Sequence, residues 1–274
     1  MYFVKVHGAG NDFVLLPDLD DALELDPAFV QRVCHRHLGV GGDGVIRLGK
    51  PRDGVDAHVF MDYWNADGTI AEMCGNGVRC VAKYVVDRGI VGGDIVNVDT
   101  RGGVKPVEVR RGPGGLVSSV RVDMGPPVVG KVDWPMSIDG DTVMMTTLSM
   151  GNPHAVTVVE DVDAADLASL GRRLQEHEAF PQGTNVEVIS VEDRIRVRGR
   201  IWERGVGETM ASGTGASAMA AAAHLLGLAG RRTTVVLPGG DLDIEWTEKT
   251  LWVTGPAAEV ATGELDDTWL TTKH

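Results

Sequence analysis

The sequence predicts an α+β chain built as two pseudo-symmetric halves, each a strand-rich unit around one central helix. Three observations predict it. The segment Tyr63–Gly77 aligns without a gap on Ile201–Gly215 at an offset of 138 positions, about half of the 274 residues. Trp64 then meets Trp202, Gly75 meets Gly213, Gly77 meets Gly215 and Cys74 meets Ser212. Short Val/Ile runs alternate with turn residues through most of the chain, as in strand-rich proteins. Helical patterns are few, and one begins just after Cys74 and another just after Ser212.

Taken along the chain, strands are expected at Phe3–Val6, Asp56–Tyr63, Ile95–Thr100, Val104–Val109 and Ser118–Asp123 in the first half. In the second they are expected at Val186–Ser190, Arg194–Ile201, Thr233–Leu237, Asp241–Trp246 and Leu251–Thr254. Period-two alternation in Val104–Val109 and Ile195–Arg198 reads as antiparallel pairing. A helix over Asp26–His37 has Pro27 in its first turn and stops before Gly39. A second over Asn76–Asp87 puts Val78, Val81, Ala82 and Val85 on one face. Ala164–Glu176 reads as a surface helix and Gly215–Leu228 as a helix of small residues. Gly125-Pro126-Pro127 followed by Trp134-Pro135 marks the crossover, giving domains 1–124 and 125–274 and leaving the extreme C-terminal strand able to return to the first half. A second correspondence matches Asn11–Val14 with Asn152–Ala155.

A hydrophobic content of 43% and a net charge of −13 describe a globular chain without the basic surface that nucleic acids or anionic membranes require. His7, Asn11 and Asp12 interrupt any leader-like run over Met1–Leu16. Ala216–Ala229 is too short to span a bilayer. Three cysteines are too few for a disulfide framework, and the odd count suits a reducing, cytoplasmic compartment.

The chemistry concentrates at the repeated Gly-rich turns. Cys74, ahead of Gly75-Asn76-Gly77, is expected at a helix N-terminus. Unpaired amides and the positive end of the helix dipole lower a thiol pKa there from about 8.5. Its bland alternative, a cysteine buried at a turn, loses ground because the Gly-rich context is duplicated. Ser212 is among the best helix caps and needs no catalytic explanation on local grounds. Its pairing with Cys74 is what raises one. Glu203 and Arg204, beside Gly205-Val206-Gly207, could hold the ammonium and carboxylate of an amino acid or form a surface ion pair. Asn11, Asn65, Asn152 and Asn185 lie in apolar or Gly-rich surroundings and read individually as turn residues. Gly39–Gly44 matches G-x-G-x-x-G, but it follows a helix and precedes a strand, the reverse of the dinucleotide-binding order. Cys34 and Cys80 read as core. His35-Arg36-His37 and the Cys74/Cys80 pair lack a zinc-ligand set, and no lysine is marked as a cofactor anchor.

His7–Phe13, Asn65–Gly68 with Met73–Arg79, Gly151–His154, Gly183–Glu187 and Glu203–Thr209 resemble, in order and nearly end to end, the motifs of the diaminopimelate epimerase family. The resemblance implies two domains, each a curved, mostly antiparallel sheet wrapped around a central helix, with the active site between them. It implies conversion of LL- to meso-diaminopimelate in lysine and peptidoglycan biosynthesis, a homodimer, and no cofactor, neither pyridoxal phosphate nor metal. Carried over by residue, Cys74 is one acid/base thiol and Ser212 occupies the position of the second. The amides of Gly75-Asn76 and Gly213-Thr214 cradle the reacting α-carboxylate, and Glu203 takes the α-ammonium. Asn65, Asn152, Asn185 and Arg204 hold the distal end of the small-molecule substrate, with Asn11 beside them.

Two positions depart from the family pattern. Gly44 stands where many members place a glutamine that lines the substrate site. Ser212 stands where the family has a cysteine, and a hydroxyl is a far weaker acid than a thiol. An introduced Cys→Ser change, a natural thiol/hydroxyl variant and a lineage with a changed reaction each fit. The expected reaction is two-base epimerisation impaired by Ser212. The alternatives are a one-base lyase or dehydratase of the proline-racemase-like superfamily and a non-catalytic amino-acid binder.

Overall fold

The architecture follows from two stretches of chain that repeat one order of elements. A computed structural model describes residues 1–271. They divide into two compact units, Met1–Val122 with the chain from Pro256 onward, and Asp123–Gly255.

The first unit runs β1 (Tyr2–Gly8), β2 (Asn11–Pro17), α1 (Pro27–Cys34), β3 (Gly44–Gly49), β4 (Val59–Asn65), β5 (Ile70–Ala71), α2 (Gly75–Asp87), β6 (Ile95–Thr100), β7 (Lys105–Arg111) and β8 (Val117–Asp123). The second begins with β9 (Val128–Val129) and β10 (Trp134–Ile138). It continues with β11 (Asp141–Ser149), β12 (Pro153–Val158), α3 (Leu167–Gln175), β13 (Asn185–Asp193), β14 (Arg196–Glu203), β15 (Gly207–Thr209), α4 (Gly213–Leu225), β16 (Arg232–Leu237), β17 (Gly240–Trp246) and β18 (Leu251–Gly255). From β1 to β8 and from β11 to β18 the order of strands and helices is the same. Then β19 (Ala258–Glu264) returns to pair antiparallel with β1, and α5 (Asp267–Thr271) follows.

The pairing repeats too. Most neighbours are antiparallel, as the period-two segments require, and each unit has two parallel pairs at equivalent places: β2 with β3 and β4 with β6, β12 with β13 and β14 with β16. Phe13 opposes Gly44 in the first unit and His154 opposes Asn185 in the second. The first unit therefore places Phe13 and Ile46 where the second places His154 and Glu187.

The central helices are buried for different reasons. On α2, the expected face of Val78, Val81, Ala82 and Val85 is fully buried. By contrast α4 is apolar nearly all round, as an enclosed helix must be, and small residues let strands approach it. A Cβ on Gly199 would meet Met219 Sδ at 2.3 Å, and one on Gly215 would meet Ile201 Cδ1 at 2.3 Å. On the other faces α1 packs over β3 and α3 over β13 and β14. Beneath them lie a core of Val14, Leu16, Val30, Val33 and Trp64 and a core of Met136, Ile138, Leu167, Leu174 and Val186.

Several boundaries differ from the sequence expectation. The first helix ends at Cys34 rather than His37, because the glycine loop folds back on it: Gly39, Gly41 and Gly42 donate to His35, Val33 and Cys34 carbonyls. A Cβ at Gly39 would sit 2.1 Å from Arg32 O. The G-x-G-x-x-G run is thus a helix C-terminal cap. The helix expected from Ala164 starts at Leu167, where Asp166 supplies the cap by accepting from the Ser169 amide at 3.0 Å, and it is not purely superficial, since Leu167 and Leu174 are core. The small-residue helix runs Gly213–Leu225 rather than Gly215–Leu228, its first turn being the Gly-rich motif itself. The strand expected from Asp56 begins at Val59, and the one expected from Arg194 begins at Arg196. β2, β3, the short β5, β9 and β15, and β10–β12 have no counterpart in the expectation. The break between the units falls at Val122/Asp123.

Candidate functional site

Each central helix starts in the same way. Cys74 is the N-cap of α2, with extended φ −136° and ψ 115°, and its Sγ accepts from the Gly77 amide at 3.4 Å. Ser212 is the N-cap of α4, with φ −139° and ψ 129°, and its Oγ accepts from the Gly215 amide at 3.3 Å. The cap carbonyls take the next amides, from Val78 and Ala216. Ahead of these, the amides of Gly75 and Asn76, and of Gly213 and Thr214, stand in the first turn, where helix ends receive anions.

In the first unit the structure brings together Asn11, Cys74 and Asn76. The Cys74 thiol donates to Asn11 Oδ1 at 3.8 Å, and Asn76 Nδ2 donates to the same oxygen at 3.0 Å. Asn11 Nδ2 in turn donates to Asp43 at 2.7 Å, and Arg36 bridges Asp43 and Asp12. Asn76 Oδ1 accepts from Arg79 Nη2 at 2.6 Å. Asn65, at the end of β4, turns its Nδ2 to Thr69 Oγ1 at 3.0 Å.

In the second unit Asn185 ties two elements, donating to Pro153 O at 2.9 Å and accepting from the Arg204 backbone amide at 2.9 Å. The exposed Arg204 guanidinium donates to Gln182 O. Glu203 Oε1 accepts from Thr209 Oγ1 at 2.6 Å, so Glu203 and Arg204 have separate partners. The Asn152 side-chain oxygen lies 2.9 Å from His154 Nε2, and His154 Nδ1 lies 2.6 Å from Glu187 Oε1. A Cβ on Gly215 would come within 3.4 Å of that carboxylate, which puts Glu187 against the first turn of α4. Burial raises the Glu187 pKa, and His154 opposes the shift by charge and hydrogen bonding.

Asp43, Arg79, His154 and Glu187 carry no role in the sequence expectation. Arg79, His154 and Glu187 sit inside motifs already singled out, and the signal was a charged or titratable residue at a core-facing register position. Gly44 has a physical explanation as well. A Cβ there would meet Trp64 O at 2.4 Å and Tyr63 Cε2 at 2.6 Å, so the Tyr63 ring excludes any side chain. Cys34 and Cys80 are buried, and burial pushes both thiols up to about 12. Among the described residues no helix is long and apolar enough to cross a membrane, and no three His, Cys, Asp or Glu side chains are grouped to hold a metal ion.

Solved structures share this architecture at low identity. A PhzF-family phenazine biosynthesis protein of Bacillus anthracis superposes with TM-score 0.75 at 14% identity, covering 97% of this chain and 98% of its own. A hydroxyproline epimerase of Agrobacterium vitis, bound to trans-4-hydroxy-L-proline, gives TM-score 0.69 at 17% identity, over 96% of this chain and 91% of its own. These relatives establish the fold. Sequence relatives go further. Diaminopimelate epimerases of Moorella thermoacetica and Acetivibrio thermocellus are 44% and 40% identical, each over 97% of this chain and 99% of their own length. The family model described as diaminopimelate epimerase matches residues 3–130 and 146–264. With the duplicated helix caps in place and near-complete coverage by these relatives, the chain belongs to the diaminopimelate epimerase family.

Proposed function

We propose that this protein interconverts LL- and meso-diaminopimelate without a cofactor, serving lysine and peptidoglycan-precursor synthesis, and that it works as a cytoplasmic homodimer. The observation that carries the reading is the pair of equivalent N-caps, a thiol on α2 and a hydroxyl on α4, in a chain 44% identical to a diaminopimelate epimerase.

Inverting a stereocentre needs a base to remove the α-proton and an acid to return one to the other face. Cys74, as thiolate, takes the proton; the C–H electron pair remains on the α-carbon and spreads into the α-carboxylate. Amides of Gly75, Asn76, Gly213 and Thr214 are suited to hold that carboxylate, because they stand at helix N-termini where growing negative charge is stabilised. Glu203 pairs with the α-ammonium. Asn65, Asn152, Asn185 and Arg204 engage the distal amino-acid end, with Asn11 beside Cys74. Ser212 occupies the second acid/base position, and its hydroxyl is mismatched in acidity by many units, so protonation from its side limits the rate.

Incubating LL-diaminopimelate with the protein in deuterated water tests this. The expected result is deuterium at one α-carbon with slow formation of the meso isomer. An eliminated product would show a lyase instead, and neither exchange nor product would show a binding protein.

A further inference from the structure

Arg79 heads the fully buried side chains by volume, with no exposed surface at all. Its Nε donates to Pro256 O at 3.2 Å and its Nη2 to Asn76 Oδ1 at 2.6 Å, while Nη1 is buried without a partner. No carboxylate answers this charge among the described residues. A buried cation in that state is costly unless something compensates it, and arginine does not escape by losing its proton. Burial draws its pKa down, while the neighbouring Cys80 and Cys74 would hold it up as thiolates. Burial keeps Cys80 a neutral thiol, since it is pushed up to about 12. Cys74 is left as the anion available to Arg79.

Packing does not require an arginine here. At the same offset that pairs Cys74 with Ser212, the second unit has Ser217, whose Oγ donates to the Gly213 carbonyl of its own helix at 2.8 Å. The first unit instead leaves Gly8 bare, its Cβ position only 3.0 Å from Arg79 Nη2. Several other charges on elements packed against α2 are paired locally: Lys5 with Asp12, Asp62 with Arg101, Lys83 with Asp87, Asp99 with Arg52, Glu108 with Arg121, Arg111 with Asp94 and Glu259 with Arg88; β7 also carries Lys105 and Arg110, and β19 carries Glu264. His7 Nδ1 accepts from the Gly10 amide. Asn11 Oδ1 accepts from the thiol and so favours its neutral form, which Arg79 must outweigh.

We propose that Arg79 is the buried counter-cation of the Cys74 thiolate and, through Asn76, the anchor that positions Asn11 against it. The proposal rests on Cys74 being the acid/base thiol, and Arg79 acts as a positioning residue that touches no substrate.

The test is the pH dependence of Cys74 alkylation by iodoacetamide, which needs neither substrate nor turnover. Cys34 and Cys80 titrate far above the window and do not interfere. Arg79→Gln should raise the Cys74 pKa by at least one unit, slowing alkylation at neutral pH about tenfold or more, whereas Arg79→Lys should keep it near the wild-type value. An unchanged pKa in folded Arg79→Gln, or an equal rise in Arg79→Lys, would overturn the charge role. A comparison that leaves Arg79 intact guards against misfolding. The thiol introduced by Ser212→Cys in a Cys74→Ala background shares the cap geometry but has Ser217 in place of the arginine, and it should titrate at least one unit above Cys74. Equal values would also overturn the proposal. Deuterium exchange measured on the same variants separates this outcome from a failure of the epimerase reading, because the titration reports the ion pair whether or not the enzyme turns over.

Discussion

His154 and Glu187 form a buried acid–imidazole pair, Nδ1 to Oε1 at 2.6 Å with neither side chain exposed, where the other unit has Phe13 and Ile46 at the same register. Removing one partner of such a pair strands the other, at a cost of roughly 3–5 kcal/mol. Glu187→Leu should therefore destabilise the protein by about 3 kcal/mol. Glu187→Gln, which keeps an acceptor for the imidazole, should cost about 1 kcal/mol, the scale of one hydrogen bond. Combining Glu187→Ile with His154→Phe copies the first unit and should recover most of the loss. Urea unfolding of the series decides it, and additive losses in the double variant would refute the pairing.

Asp12 and Glu187 make stability depend on pH with opposite signs. Burial alone would raise its pKa, but hydrogen bonds and charge from Arg36 and Lys5 outweigh that and bring it to about 2. A carboxylate depressed in the folded state stabilises above its unfolded value, and the contribution is lost as pH falls from about 4 to about 2. The amount is about 2 kcal/mol, since one pKa unit corresponds to about 1.4 kcal/mol. Asp12→Asn should be less stable at pH 7 by that order and should flatten the stability curve below pH 4. Glu187, raised by burial, contributes at low pH and loses that contribution as pH rises.

Ser212→Cys should raise steady-state epimerisation at least 10²-fold under reducing conditions, the contribution typical of one acid/base group. Cys74→Ala should abolish α-proton exchange from its own face. Equal turnover in Ser212→Cys and the parent would mean that Ser212 is not at the reacting carbon or that another group supplies the second proton.

Arg204→Ala should weaken substrate binding by roughly 1.5–3 kcal/mol, as for a lost charged hydrogen bond. Calorimetric titration with diaminopimelate measures it, and unchanged affinity would remove Arg204 from the site.

Gly44→Gln tests the crowding at Tyr63. With its Cβ placed 2.4 Å from a strand carbonyl and 2.6 Å from the tyrosine ring, the substitution should cost at least about 2 kcal/mol in thermal or urea unfolding. A stable Gly44→Gln protein would show that the β3–β4 pair yields more easily than its packing implies.

Much of this was legible in the chain because the informative residues are local. The N-cap position of Cys74 and Ser212 follows from glycines that begin a helix, and the apolar face of α2 follows from its spacing. What was not legible depends on partners far away in sequence. Arg79 reads as one more polar residue on a helix until Gly8 and Pro256 close over it. Glu187 looks like an ordinary strand residue until the parallel pairing of β12 with β13 brings His154 beside it. The strands β2 and β12 were hidden because Asn11, which opens β2, and Asn152, just before β12, read as turn residues. Glu203 and Arg204, adjacent in sequence, read as holders of the two ends of an amino acid or as a surface ion pair, but a β-turn sends their side chains to Thr209 and Gln182.

The return of β19 to β1 makes the first unit discontinuous, with Asp123–Gly255 set between its two parts. During synthesis, then, the second unit emerges whole while the first still lacks a strand, and β1 presents an unpaired edge until Ala258–Glu264 leaves the ribosome. Such edges recruit other chains, so the nascent protein is most exposed to misassembly late in translation. Pairing of β19 with β1 is what closes that edge.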